Sequence, residues 1–195
     1  RISFLQFFAT YFLCSVILTL FHTGIFLFFA GAVWILTSIS PLCGSATFLD
    51  VGQGDGIVIH SKYGSAVMID GGSSSENRLA KYTLLPYLKS QGLTCLDYVF
   101  LTHMDEDHIS GIRELLEMGE SERGKIKTLI LPKLSVTDEA YAEMVRLAEQ
   151  SGVRVCIMQA GDCLRVRDMT FYCFHPQPDT LYTDKNAASM VLYLE

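Results

Sequence analysis

The sequence predicts an α/β domain, a mixed sheet covered by helices, preceded by one or two membrane-spanning helices. Residues 1–40 are almost wholly apolar, and their only formal charge is that of Arg1. The chain has 15 Lys and Arg and 21 Asp and Glu, and its net charge is −6. Residues 41–195 contain 14 of the basic residues and all 21 acidic ones. In this second part, three strand signals come first and strands then alternate with helices, the order expected of a mixed sheet with helices packed on it.

The first 40 residues have the composition of a membrane-embedded segment. A crossing takes about 20 apolar residues, and one helix over residues 2–39 would be nearly twice as long as the ~30 Å hydrocarbon core. We therefore favour two helices that turn at His22-Thr23-Gly24. A cleaved signal peptide is the alternative, but the apolar run is too long and lacks a charged region before it. We expect the chain to be part of a larger membrane protein.

The globular domain, expected over residues 45–195, begins with three short strands separated by the turn sequences GQGDG and KYGS. These predicted strands are Thr47–Val51, Ile57–His60 and Ala66–Ile69. Residues 76–91 have leucines near helical spacing and are followed by Gly92, so they predict a helix, which Pro86 should kink. A buried strand over Leu96–Leu101 and a short helix over Ile109–Met118 come next.

Strands and helices alternate in the remainder of the chain. Thr128–Leu131 is predicted as a strand, and Thr137–Gln150 as a helix with Thr137 as its N-cap residue and Gly152 after its end. Further runs rich in strand-forming residues predict four more strands. They are Val153–Met158, Cys163–Val166, Thr170–Phe174 and Ser189–Leu194.

The stretch LTHMDEDHISG, residues 101–111, carries the candidate chemistry. His103, Asp105, Asp107 and His108 follow a buried strand directly, and loops at strand ends commonly carry functional sites. If the two aspartates were buried together, their negative charges would repel each other. A divalent cation bound between them would remove this unfavourable energy. The pattern therefore favours a metal site, and two ions suit the adjacent Asp107 and His108 better than one. The alternative is a solvated acidic loop whose histidines have structural roles.

The segment His103-Met104-Asp105-Glu106-Asp107-His108 resembles the His-x-His-x-Asp-His signature of the metallo-β-lactamase superfamily, with aspartate in place of the middle histidine. Three further motifs occur with it: FLDVGQGD at residues 48–55, MIDGG at 68–72 and NAASMV at 186–191. In this order the four motifs resemble the C-terminal domain of the ComEC family of DNA-internalisation competence proteins, which form a bacterial inner-membrane channel for transforming DNA. The resemblance runs from about Thr47 to Glu195.

This resemblance implies an αββα metallo-β-lactamase-like sandwich with two divalent metal ions, manganese or zinc, at one sheet edge. By position, His103 and Asp105 would bind one ion, and Asp107 and His108, the candidate catalytic pair, the other. The family's later ligands, a bridging aspartate and a His-rich motif, would follow Glu195. We therefore expect a sandwich that is incomplete at its C-terminus and a chain with little activity by itself.

Four more residues are candidates to orient the ligands or to contact the substrate: Asp70, Asp55, Asn186 and Ser189. Asp70 would hydrogen bond to ligands, or else satisfy backbone N–H groups in a turn. For Asp55 the alternative is purely structural, because the glycines of GQGDG allow a tight hairpin. Asn186 and Ser189 are weak metal donors, which suits contact with substrate better.

Asp105 in place of histidine makes the donor set richer in oxygen, which moves the metal preference from zinc toward manganese or magnesium. The acidic net charge is mildly unfavourable for a nucleic-acid partner. Basic residues that are candidates for phosphate contact are Arg123, Lys125, Lys127, Arg165, Arg167 and Lys185.

The function implied by the resemblance is a membrane-anchored, metal-dependent hydrolase domain of a DNA-uptake channel, a nuclease acting on incoming DNA. Its partners would be single- or double-stranded DNA, the membrane, other domains of the same channel and other competence proteins. We expect a multi-pass protein of the bacterial inner membrane with this domain on the outer face. Two alternatives stay open: a metallohydrolase of a small ester or amide, and a non-catalytic domain that grips DNA or gates the channel.

Overall fold

The computed structural model describes residues 4–38, 44–182 and 186–195. The chain divides into two units, residues 1–41 and residues 42–195. The first unit contains one helix, α1, which spans Phe4–Ser38. Within α1, Tyr11–Trp34 form a segment of 24 residues that is long and apolar enough to cross a membrane.

Helix α1 continues through His22-Thr23-Gly24, so the prediction of two helices joined by a turn there was wrong. The polar side chains of this stretch bond to carbonyl groups one turn earlier in the same helix. The Thr23 hydroxyl donates to the carbonyl of Thr19 across 3.0 Å, and Nδ1 of His22 lies 2.7 Å from the carbonyl of Leu18. Because these polar groups have hydrogen-bond partners inside the helix, the helix does not have to break at this point.

The second unit is built on a six-stranded sheet in which the strands lie in chain order. They are β1 Ser45–Phe48, β2 Ile57–His60, β3 Ala66–Ile69, β4 Cys95–Phe100, β5 Lys125–Pro132 and β6 Arg154–Met158. Strands β1 to β3 pair antiparallel, whereas β3 to β6 pair parallel. Short turns allow the antiparallel pairs, and the helical connections return the chain for the parallel ones. The predicted mixed sheet is confirmed.

Helical segments join the parallel strands. They are a π-helical turn Ala80–Leu84 that continues into α2 Leu85–Ser90, then α3 Glu106–Glu117, α4 Glu120–Arg123 and α5 Glu139–Gln150. The predicted helix over residues 76–91 starts four residues late, because Arg78 has a backbone φ of 57°, which an α-helix excludes. The N-cap residue of α5 is Asp138, not Thr137, since the Asp138 carboxylate accepts a 2.8 Å hydrogen bond from the Tyr141 amide.

The last three strands form a separate antiparallel sheet. They are β7 Cys163–Val166, β8 Met169–His175 and β9 Val191–Leu194, with a short 3₁₀ turn, Asn186–Ala188, before β9. Strand β9 starts two residues later than predicted. The sequence pattern predicted these strands but not their separation into a second sheet, which only the family resemblance implied.

Two apolar cores define the order of the layers. Helices α2, α3 and α5 pack on one face of the six-stranded sheet, for example Ile112 and Met144 with Met68 and Val99. The opposite face packs on the three-stranded sheet, where the rings of Phe100 and Phe171 lie 5.1 Å apart. This helix–sheet–sheet order corresponds to the first three layers of the expected αββα sandwich. On the outer side of the three-stranded sheet, Phe174 and Tyr193 are exposed.

Candidate metal centre

The candidate site lies where the parallel strands β3 and β4 end. Ile69 pairs with Phe100 at the ends of these strands, and the amide of the next residue, Asp70, donates to the Phe100 carbonyl across 2.8 Å. The carboxyl ends of parallel strands share one sheet edge, which is a common location for binding sites. As a result, Asp70 lies beside the loop that leads from β4 into α3.

Four side chains of this loop and of the first turn of α3 are close together. Helix α3 starts three residues earlier than predicted, so Asp107 and His108 lie in its first turn. One nitrogen from each of His103 and His108 and one carboxylate oxygen of Asp107 lie within 4.8 Å of one another. Oδ2 of Asp105 lies 3.7 Å from Nε2 of His103. His103, Asp107 and His108 therefore form one group, and Asp105 lies beside it next to His103.

The spacing of these donors fits divalent metal ions. Nε2 of His108 lies 3.9 Å from Oδ2 of Asp107, close to the 3.7 Å between His103 and Asp105. These distances exceed a hydrogen bond of about 2.7–3.2 Å. They are shorter than roughly 4.2 Å, the greatest separation of two donors that each lie ~2.1 Å from one ion. Two imidazoles and two carboxylates also suit zinc or manganese chemically.

Asp105 occupies the N-cap position of α3, but its carboxylate accepts no capping hydrogen bond from the helix. Its main-chain carbonyl instead accepts from the amides of His108 and Ile109, across 2.9 and 3.1 Å. The backbone of Asp105 thus starts the helix, while its carboxylate remains directed to other partners. This geometry is compatible with the predicted role of Asp105 as a ligand.

Asp70 and Thr102 orient both imidazole rings. The Asp70 carboxylate is buried, and its Oδ2 accepts from Nδ1 of His108 across 2.9 Å and from the Thr102 hydroxyl across 2.7 Å. The Thr102 oxygen in turn lies 3.1 Å from Nδ1 of His103. In the tautomers that satisfy this network, both Nδ1 atoms donate, and both Nε2 atoms are left with a free lone pair for a metal.

Sequence reasoning identified Asp70 as a residue that would orient ligands, but it missed Thr102. A hydroxyl residue directly before the first candidate histidine, at the end of a buried strand, was the available signal. The backbone of Asp70 has a left-handed φ of 53°, which is uncommon for any residue but glycine. The amide of Thr102 donates to Oδ1 of Asp70 across 2.8 Å and helps to hold this conformation.

The surroundings move the pKa values of the two imidazoles in opposite directions. Burial lowers the pKa of His103, and the neighbouring His108 lowers it further, against the opposing effect of the carboxylates. Burial also acts to lower the pKa of His108, but the hydrogen bond to Asp70 and the charges of Asp70, Asp107 and Asp55 outweigh it and raise that pKa. Because its pKa is raised, the His108 ring binds a proton more tightly, and a metal ion at this ring must compete with that proton.

Asp55 reaches the same site from the loop between β1 and β2. Its amide donates to the carbonyl of Asp107 across 3.1 Å, and its own carbonyl accepts from the amide of Gly72 across 3.1 Å. Oδ2 of Asp55 lies 3.6 Å from Nε2 of His108. The structure thus brings a residue of the FLDVGQGD motif to the cluster.

The segment that carries Asn186 and Ser189 lies beside the loop of His103. The amide of Met190 donates to the carbonyl of Thr102 across 2.8 Å, and the carbonyl of Ser189 accepts from Nδ1 of His175 across 2.8 Å. Asn186 is exposed at the start of the 3₁₀ turn. Contact of Asn186 and Ser189 with a substrate stays a prediction.

Among the described residues, the basic side chains predicted to contact phosphate share no common site. Lys127 forms an ion pair with Asp97 near the beginning of β5, away from the strand ends that carry the histidines. Arg165 and Arg167 are exposed on β7 and in the turn after it. Lys185 and the side chains of Arg123 and Lys125 lie outside the described residues.

Comparison with known proteins agrees with this architecture. Residues 49–119 match the family model of the metallo-beta-lactamase superfamily. Over 166 residues, which are 78% of this chain, the sequence is 30% identical to ComE operon protein 3 of Bacillus subtilis (strain 168). The chain spans about one fifth of that relative, 20% of its length.

Two solved structures are also similar. The metallo-beta-lactamase fold protein YhfI from Bacillus subtilis matches with a TM-score of 0.49 and 17% identity, over 73% of this chain and 51% of that one. A subclass B3 metallo-beta-lactamase isolated from a soil metagenome library matches with a TM-score of 0.44 and 16% identity, over 77% and 56%. Both TM-scores are below 0.5, so the assignment rests on the sequence matches and on the layered architecture. Residues 49–119 of the chain thus match the metallo-beta-lactamase superfamily, and the chain is related in sequence to ComE operon protein 3.

Proposed function

We propose that this chain is a membrane-anchored, metal-dependent hydrolase domain of a DNA-uptake protein, and that it cleaves phosphodiester bonds of DNA. Residues 1–40 would be the membrane segment and residues 45–195 the hydrolase domain. The observation that carries the proposal is the group of His103, Asp107 and His108, with Asp105 beside His103. The buried Asp70 orients His108 directly and His103 through the Thr102 hydroxyl.

His103 and Asp105 would hold one divalent ion, and Asp107 and His108 the other. When bound, such ions polarise a phosphoryl oxygen and lower the pKa of water enough for it to act as a nucleophile near neutral pH. The carboxylates make the donor set hard, which favours manganese over zinc. Asp70 keeps Nε2 of His108 available by accepting a hydrogen bond from Nδ1–H, which fixes the ring orientation before an ion arrives.

The charge of the site makes binding of a phosphodiester dependent on cations. Asp70, Asp105 and Asp107 lie close together, so an anionic substrate would be repelled from the metal-free site. Divalent ions offset this local negative charge. The side chain of Asp107 is 43% exposed, and it therefore lies where a substrate arriving from solvent can reach it.

The apolar segment of α1 supports anchoring in a membrane. Its 24 residues span about 36 Å as a helix, which is enough to cross a ~30 Å hydrocarbon core. We place the domain on the outer face of the bacterial inner membrane, where it would meet incoming DNA. There it would act with other domains of a multi-pass channel and with other competence proteins, as the resemblance to the ComEC family implies.

A nuclease assay tests the proposal. The full-length natural protein in detergent is incubated with end-labelled single- and double-stranded DNA, with and without Mn²⁺. We expect Mn²⁺-dependent cleavage that is lost in His103→Ala and His108→Ala and retained in Asp50→Asn, which changes an exposed carboxylate outside the cluster. DNA binding without cleavage would favour a gripping or gating domain. Hydrolysis of small esters without cleavage of DNA would favour a different metallohydrolase, and either result contradicts the nuclease.

A further inference from the structure

The loop between β1 and β2 brings a fifth donor side chain to the candidate metal centre. Oδ2 of Asp55 lies 3.6 Å from Nε2 of His108, and Oδ2 of Asp107 lies 3.9 Å from the same nitrogen. We infer that Asp55 is a metal ligand and that it binds the same ion as Asp107 and His108. This inference rests on the metal centre of the proposed function and adds a ligand from a distant part of the sequence.

The main chain of Asp55 is held in place from both sides. Its amide donates to the carbonyl of Asp107, and its carbonyl accepts from the amide of Gly72, each across 3.1 Å. Two residues further along the same contact, the amide of Ser74 donates to the carbonyl of Gln53 across 2.8 Å. The side chain of Asp55 is 66% exposed, but these bonds keep its Cα at the metal loop.

Two glycines allow this close approach. A Cβ at Gly72 would lie 2.5 Å from the backbone nitrogen of His108, and a Cβ at Gly54 would lie 2.6 Å from the carbonyl oxygen of Asp107. Real Cβ atoms do not approach backbone so closely, so any other residue would push the loops apart. The glycines of FLDVGQGD and MIDGG therefore do more than form turns, because they let Asp55 reach His108.

A cation between Asp55 and His108 would account for their contact when the imidazole ring is neutral. At 3.6 Å it is too long for a hydrogen bond. Nδ1 of His108 donates to Asp70, so in the neutral ring Nε2 carries a lone pair and no proton. A lone pair and a carboxylate oxygen do not attract each other, but an ion at about 2.1 Å from each would bind both.

The first test measures Mn²⁺ affinity by titration calorimetry on the 195-residue chain in detergent. Asp55→Asn keeps the shape of the side chain and removes its charge, and Asp50→Asn makes the same change at an exposed position of the same loop. We expect Asp55→Asn to weaken Mn²⁺ binding by at least the ~10-fold that loss of even an outer partner of a ligand costs. Asp50→Asn should keep wild-type affinity, and thermal unfolding should show that both variants fold.

A second test has a readout that a purely structural aspartate would not change. Thiolate is a soft ligand that prefers Cd²⁺ over Mn²⁺. We expect Asp55→Cys to gain Cd²⁺ affinity relative to Mn²⁺ and to show a thiolate-to-cadmium ultraviolet band beyond that of the wild type. Asp50→Cys, the matched control, should show neither change. If Asp55→Cys behaves as Asp50→Cys does, the ligand role of Asp55 is overturned.

The variant His108→Ala separates this inference from the proposed function. If His108→Ala loses Mn²⁺ binding while Asp55→Asn keeps wild-type affinity, then Asp55 is not a ligand and the metal centre stands. If His103→Ala and His108→Ala both bind Mn²⁺ as the wild type does, the centre itself is wrong, and the inference falls with it.

Discussion

Asp70 accepts a 2.9 Å hydrogen bond from Nδ1 of His108, although 38 positions separate the two residues in the chain. The contact exists because β3 and β4 are parallel neighbours that end at the same sheet edge. Asp70 follows β3 directly, and His108 lies in the helix reached from the end of β4. The topology of the sheet thus fixes the orientation of a candidate ligand.

Asp70→Asn is expected to weaken Mn²⁺ binding by about 10- to 100-fold, because an amide stabilises the required histidine tautomer less well than a carboxylate does. Calorimetric titration of the purified chain measures this change. Asp97→Asn is the control. It removes the charge of a largely buried carboxylate near the start of β4, and it should leave the Mn²⁺ affinity unchanged. An Asp70→Asn variant with wild-type affinity would show that Asp70 only supports its turn.

Thr102→Val removes the hydroxyl group but keeps the shape of the side chain. His103 would lose the acceptor for Nδ1, and Asp70 would lose one donor. We expect a loss of stability of about 1 kcal/mol, the typical net contribution of a hydrogen bond, together with weaker Mn²⁺ binding. Thr102→Ser keeps the hydroxyl and should restore both. Urea unfolding and metal titration of the two variants check the prediction, and equal metal affinities would contradict it.

Replacement of Asp105 tests whether its carboxylate binds metal. Asp105→His should shift the metal preference toward zinc, because the donor set becomes richer in nitrogen. Asp105→Asn should weaken Mn²⁺ binding far more than Glu106→Gln, a change to the exposed neighbour. Competition titrations with Mn²⁺ and Zn²⁺ measure both effects. If Asp105 only started the helix, Asp105→Asn would change stability by at most about 1 kcal/mol and would leave both metal affinities alone.

Gly72→Ala should destabilise the second unit even without metal. The new Cβ would lie 2.5 Å from the backbone of His108, so the start of α3 or the Gly72 loop must move. We expect a cost of about 1–3 kcal/mol, as for other overpacked positions. Gly119→Ala is the control, since a Cβ there would meet only Oγ of Ser121 at 3.8 Å. Denaturant unfolding of both variants measures the difference, and an equal loss in the two would refute the steric explanation.

The sequence by itself determined the local features of this protein. Strands β2 and β3 have the predicted ends, because short runs of β-branched and apolar residues are bounded by clear turn residues. The four candidate ligands among residues 103–108 are neighbours in the chain, so any fold of this loop keeps them close. The sequence also showed clearly that the first segment is apolar. It did not show that this segment is a single helix, because polar residues inside a helix can hydrogen bond to the helix's own carbonyl groups and so need not mark a turn.

Only the tertiary structure decided which distant residues complete the site. Asp55 and Asp70 reach the histidines through the pairing and register of strands that are far apart in the sequence. A register shift of one residue would turn each side chain to the opposite face of the sheet. No local propensity encodes that register. It results from the burial of Val67, Phe100 and the other residues between the two sheets, and this burial is a property of the whole fold.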